Sequence, residues 1–113
     1  MNFFKVAEWS DGDLDNENIY QITMFCNFNV ITGSRIIDVK LKNGNQYTGY
    51  FNYTSTGTEA TLTHSRGEIS ISQVNLNDFH IDMLDIEQIN IVEDKNIIEN
   101  FRKAGLFVTR MES

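Results

Sequence analysis

The sequence predicts a mainly β (α+β) domain: a strongly bent antiparallel sheet, or a small barrel, of about six or seven strands with one C-terminal helix. Three observations lead there. From Arg35 to Tyr53, Ile37, Val39 and Leu41 alternate with Asp38, Lys40 and Lys42 ahead of an Asn43-Gly44 turn, which is the period of a half-buried strand. From Tyr20 to Val30 the alternation is longer still. Near the end, Glu93 to Gly105 carries the capping and charge pattern of a helix.

In order along the chain, Phe3 to Trp9 is a short apolar segment, and Ser10 to Asn18 reads as a polar loop. Tyr20, Ile22, Met24, Cys26, Phe28 and Val30 then fall on one face of an expected long strand, with only Phe25 out of place. In the hairpin that follows, a three-residue loop, Lys42 to Gly44 with Gly44 left-handed, sets Val39 opposite Tyr47 and Ile37 opposite Gly49. A two-residue loop would set Val39 opposite Thr48 and split the apolar faces, so the longer loop is expected, with Tyr47, Gly49 and Phe51 facing the core. Gly49 marks a sharp bend or the approach of another backbone.

A second hairpin is expected from Thr58 to Ser72, with a two-residue Arg66-Gly67 turn pairing Leu62 with Ile71 and His64 with Ile69, and with Ser70 and Ser72 outside. Phe79 to Val92 reads as a short turn and then a closing strand. In the final helix Asp94 caps the start, Ile97, Phe101 and Ala104 form the apolar stripe, and Gly105 stops it. Leu106, Phe107 and Val108 are expected to pack back onto the core or to add an edge strand. No proline or linker composition divides the chain, so residues 1–113 form a single domain. A domain of this length buries roughly two-thirds of its unfolded surface, enough for a core without staples.

One cysteine, Cys26, excludes an intramolecular disulfide, and no run approaches the ~18 apolar residues of a membrane span, so a cytoplasmic location is expected. Sixteen acidic against nine basic residues give a formal charge of -7, which repels phosphate backbones and attracts basic partners. Asp11, Asp13 and Asp15 share the spacing that opens a calcium loop. However, Asn16 stands where that loop needs glycine and Ile22 where it needs glutamate, so no metal is expected. Cys26 on an apolar face suits a buried thiol, and His64 and His80 have no metal-ligand spacing. There is no phosphate loop, serine elbow or paired-carboxylate signature, so neither a catalytic set nor a cofactor is expected.

The segment VKLKNGNQYTGYF resembles the opening hairpin of Sm-like small β-barrels, and IEQINIV is similar to their closing strand. Together the two segments extend the resemblance over about half of the chain. It implies a five-stranded, strongly bent SH3-like barrel of a kind that often forms rings binding RNA. The loop that holds uridine in such proteins reads Asn52 to Thr58 here, without their acidic residue and asparagine, while Arg66-Gly67 matches their basic residue beside a glycine.

The functional expectation is a non-enzymatic acidic protein-binding module, an immunity protein or antitoxin blocking a basic, nuclease-type toxin. The alternative is an Sm-like RNA-binding protein. For the first reading the partner-binding residues are Asp11, Asp13, Asp15 and Glu17 in the acidic loop, Asp82 and Asp85 in the later acidic run, and the aromatics Tyr50 and Tyr53.

Overall fold

The computed structural model describes residues 3–5, 14–58, 65–75 and 77–106. The elements are β1 (Phe3–Lys5), α1 (Leu14–Phe25) continued by a π-helical segment (Cys26–Val30), β2 (Ile36–Leu41), β3 (Gln46–Thr58), β4 (Ser65–Ser72), β5 (Asp78–Asp82), a 3₁₀ turn (Met83–Asp85), β6 (Ile86–Ile91) and α2 (Lys95–Lys103). The strands form one antiparallel six-stranded sheet in the order β1-β6-β2-β3-β4-β5. The mainly β class stands. The barrel alternative does not, because among the described residues no pairing joins β1 to β5 and the sheet stays open. None of the described helices is long and apolar enough to cross a membrane.

The largest departure from the sequence reading lies between Leu14 and Val30, where the second half of the expected loop and the whole of the expected strand are helical. Strict alternation contains two rows of residues four apart, and residues four apart share a face of an α-helix. Ile22, Cys26 and Val30 form one such row and are buried, whereas Tyr20, Met24 and Phe28 form the other and are 61%, 37% and 62% exposed. A strand would have placed all six together. Ile19 and Phe25 complete the buried face at helical spacing, so the residue that breaks the alternation is one the helix requires.

The first hairpin follows the expected register. Ile37 lies opposite Gly49 and Val39 opposite Tyr47, Leu41 N–H donates to Asn45 O across the loop, and Gly44 has φ 95°. Phe51 is buried, and Tyr47 packs against the same core with its ring edge-on to Phe79 at 4.9 Å. What approaches Gly49 is a side chain and not a backbone. A Cβ there would stand 2.7 Å from Ile71 Cδ1 and 2.9 Å from Ile71 Cβ.

The Arg66-Gly67 turn is not formed. Strand β3 runs on to Thr58, so Arg66 and Gly67 sit inside β4 opposite Gly57 and Thr56, and Leu62 and His64 lie outside the described residues. Gly67 is small for a packing reason: a Cβ would meet Met83 Sδ at 2.7 Å and Ile19 Cγ2 at 3.1 Å. Phe79 to Val92 forms the expected turn and closing strand, but its first part is also a strand, β5.

Register gives the sheet two apolar faces. On the inner face, Ile37, Val39, Phe51, Ile69, Ile71 and Ile89 meet Ile19, Ile22, Phe25, Cys26 and Val30 of α1 and its π-helical extension. On the outer face Ile36, Tyr50 and Val92 receive Ile98 and Phe101 of α2. The Asp94 carboxylate accepts from Asn96 N and Ile97 N at 2.8 and 3.3 Å, and Gly105 at φ 97° ends the last turn, as expected. At nine residues α2 is below the ~12 to 15 needed for stability in isolation, so its place depends on Ile98 and Phe101, whose burial contributes about 1.5 to 3 kcal/mol each.

Two measurements check this architecture. Ile22→Ala should cost about 2 to 5 kcal/mol in chemical denaturation, whereas Tyr20→Ala, of the same parity, should cost under about 0.5 kcal/mol; equal losses would restore the strand. Gly49→Ala should destabilise by about 1 to 3 kcal/mol through overpacking on Ile71, with part of the loss recovered in Gly49→Ala/Ile71→Val.

Candidate functional site

The part of the outer face that α2 leaves uncovered, over β3, β4 and β5, is polar and acidic. Tyr53 lies opposite Ser70 and Ser70 opposite His80, so one row crosses three strands. The serine between them is small and buried, which lets the Tyr53 and His80 rings meet edge-on at 6.2 Å. One step along, Glu68 lies directly opposite Asp82. Both carboxylates are exposed, and Glu68 Oε2 also stands 3.2 Å from His80 Nδ1. At the other end Asn52 Nδ2 donates to Ser72 Oγ at 2.9 Å and Ser70 Oγ at 3.3 Å, and Ser72 Oγ donates to Asp78. Ser70 and Ser72 are thus on the expected face, but buried among polar neighbours.

This surface depends on an irregularity in β3 between Phe51 and Tyr53, where the ladder to β4 shifts register. Arg35 holds it. Its Nη2 donates to Phe51 O at 3.0 Å and Asn52 O at 3.2 Å, and its guanidinium carbon lies 5.1 Å from the Tyr50 ring centroid and 5.9 Å from that of Phe51. Arg35 itself has φ 66°, a left-handed conformation costing about 1 to 2 kcal/mol for a residue with a Cβ. Its contacts to the rings and carbonyls oppose that strain, while its buried Nε has no hydrogen-bond partner among the described residues. The same contacts remove Arg35 from any basic patch, and Lys40 pairs with Glu87 at 3.3 Å.

Beside this face lies an open groove of about 620 Å³, lined by Ile97, Asn100 and Phe101 of α2, by Thr48 of β3, and by Gln73, Val74 and Asn75 after β4. Thr48 Oγ1 donates to Asp38. The border is neutral.

The residues proposed from sequence fare unequally. Asp82, Asp85 and Tyr53 lie on the surface, Tyr53 at 50% exposure, and Asp82 and Tyr53 are linked through Glu68 and His80. Asp82 Oδ1 also accepts from Leu84 N at 2.9 Å and so caps the 3₁₀ turn. Tyr50 is 8% exposed beneath α2, out of reach of a partner. Asp15 and Glu17 belong to helix α1 and not to a loop, while Asp11 and Asp13 lie outside the described residues. Glu68, Asp78 and His80 were missed; the misplaced Arg66-Gly67 turn concealed the pairing of β4 with β5 that aligns them.

Among the described residues no three His, Cys, Asp or Glu side chains gather to hold a metal ion. Cys26 is buried, and burial pushes its thiol up to about 12. No protein-family model, curated protein or solved structure matches the chain.

Like charges directly opposite in a ladder oppose folding. Asp82→Asn keeps the capping oxygen and removes that repulsion, so it should raise stability by ~0.2 to 0.5 kcal/mol at low salt. The gain should fade in thermal melts at high ionic strength.

Proposed function

We propose that this chain is a non-enzymatic acidic binding module that covers a basic surface on a protein partner, in the manner of an immunity protein or antitoxin acting on a nuclease-type toxin. One observation carries the reading: Glu68 and Asp82 are held directly opposite each other, exposed, at the edge of the sheet, with Asp78 on the same face of β5. That arrangement costs stability in the free chain, and a cationic partner relieves the cost on binding. The formal charge of -7 adds long-range attraction. Tyr53, half exposed beside His80, offers an aromatic anchor of the kind that dominates interface energies.

A second reading, the Sm-like RNA-binding protein, is supported by the return of β6, which holds all but the last residue of the IEQINIV segment, to pair with β2, and by the glycine at 49 in the long β3. The acidic outer face and the engagement of Arg35 and Lys40 weigh against an RNA surface.

Inhibition assays on a panel of purified cationic nuclease domains separate the two. The chain should block at least one of them stoichiometrically, and Glu68→Lys/Asp78→Lys should slow association with it about tenfold or more at low salt, with a smaller effect on dissociation. Absence of inhibition across the panel would overturn the reading. Salt-sensitive, micromolar binding of uridine-rich RNA in a gel shift would put the Sm-like reading in its place.

A further inference from the structure

The sheet ends at β5 in an open edge. Among the described residues no strand lies beyond it. Gln73 N–H donates to Asn77 O at 3.0 Å, which marks that pair as a hydrogen-bonded one, and the register runs unbroken from there to Glu68 opposite Asp82. Hydrogen-bonded and non-hydrogen-bonded pairs alternate along an antiparallel ladder. Phe79 and Ile81 therefore turn their backbone groups to β4, while Asp78 and His80 turn N–H and C=O away from the sheet, where none of the described residues pairs with them. Edge groups left open in this way are what an added strand takes up.

The side chains indicate which strand. Directly opposite residues of an antiparallel pair share a face. A strand laid antiparallel on β5 would thus set a residue beside each of Asp78, His80 and Asp82 on the outer face, and the residues between them beside Phe79 and Ile81 on the inner one. The outer row is acidic: Asp78 and Asp82 are exposed, and Glu68 of β4 faces Asp82. The inner row is apolar, with Ile81 buried in the larger core and Phe79 packed against it. The strand that fits alternates lysine or arginine with apolar residues. A second copy's β5 does not fit, because pairing about His80 would place Asp78 opposite Asp82 twice over, and like charges directly opposite destabilise a ladder. Edge charges commonly prevent such self-pairing. The same charges admit a strand of opposite sign.

We propose that the β5 edge binds its protein partner by strand addition, taking up an extended segment in which cationic and apolar residues alternate. Backbone hydrogen bonds to Asp78 and His80 hold the segment, and the carboxylates of Glu68, Asp78 and Asp82 fix which face its cations take. This deepens the reading of the chain as a binder of basic proteins and rests on it for the sign of the partner's charge.

The test uses the full chain and synthetic peptides of lysine and valine, titrated by calorimetry, with amide hydrogen exchange followed by NMR. One peptide alternates the two residues, and another of the same composition gathers its lysines in one half. The alternating peptide should bind about tenfold or more tighter than the block peptide. In its complex the amides of Asp78 and His80 should exchange about tenfold or more slowly than in the free chain. N-methylation at the lysines removes the N–H groups that face β5 and should abolish binding, whereas N-methylation at the valines, whose N–H groups face away, should leave it. Equal affinity for the alternating and block peptides, or unchanged exchange at Asp78 and His80, would overturn the proposal. So would protection of those amides that grows with the concentration of the chain alone, the mark of a second copy on the edge. Peptide binding lost in Glu68→Lys/Asp78→Lys but indifferent to alternation and methylation would sink strand addition and leave the acidic-face reading standing. Alternation-dependent binding that protects the edge, without inhibition of any cationic nuclease, would uphold strand addition and sink the inhibitor reading.

Discussion

The loop from Lys42 to Gly44 fixes the register of β2 against β3, and that register distributes two different apolar sets to the two sides of the sheet. Ile37, Val39, Tyr47 and Phe51 go one way, to the larger core under α1; Ile36 and Tyr50 go the other, to the smaller core under α2. A slip of one residue would exchange the sets and leave both helices without a seat. The helices are consequences of this pairing as much as of their own sequences. The short α2 depends on it most, because its two buried side chains close over residues that only this register turns outward.

The same parity explains why the polar surface exists. Beyond the reach of α2, the outward positions of β4 and β5 are Glu68, Ser70, Ser72, Asp78, His80 and Asp82, and nothing apolar calls for a cover. Small serines in the middle strand let the flanking strands bring their larger side chains together, while the shift in β3 gives Asn52 two serine hydroxyls to bridge. Arg35, strained in its own backbone, anchors that shift by holding two successive carbonyls.

The hairpin, the closing strand and α2 could be read from sequence because each is specified locally, by alternation, turn chemistry or capping around Asp94 and Gly105. The segment from Tyr20 to Val30 could not. Its alternating apolar residues satisfy a strand, and only Ile19 and Phe25, which fit no strand face, favoured the helix. Gly67 misled for a related reason. An Arg-Gly pair between polar residues has the look of a turn, yet the glycine answers to Met83 and Ile19, contacts distant in sequence. Tyr50 and Tyr53 could not be ranked either, because which of them α2 covers depends on a shift in β3 that no local pattern announces.

Where Gly67, Ile19 and Met83 meet, there is no room for even a methyl group on residue 67, so α1 and the sheet are in close contact there. Oxidation of Met83 to the sulfoxide adds a polar oxygen to a sulfur at this contact, which lies 3.8 Å from Thr23 Oγ1. Met83 is buried, so an oxidant reaches it only when this junction opens. Once oxidised, the side chain no longer fits where it came from, and a transient opening becomes a lasting one. The contact that seats α1 is thus also the point at which oxidative damage would convert momentary motion into loosening of the helix that lasts until the sulfoxide is reduced.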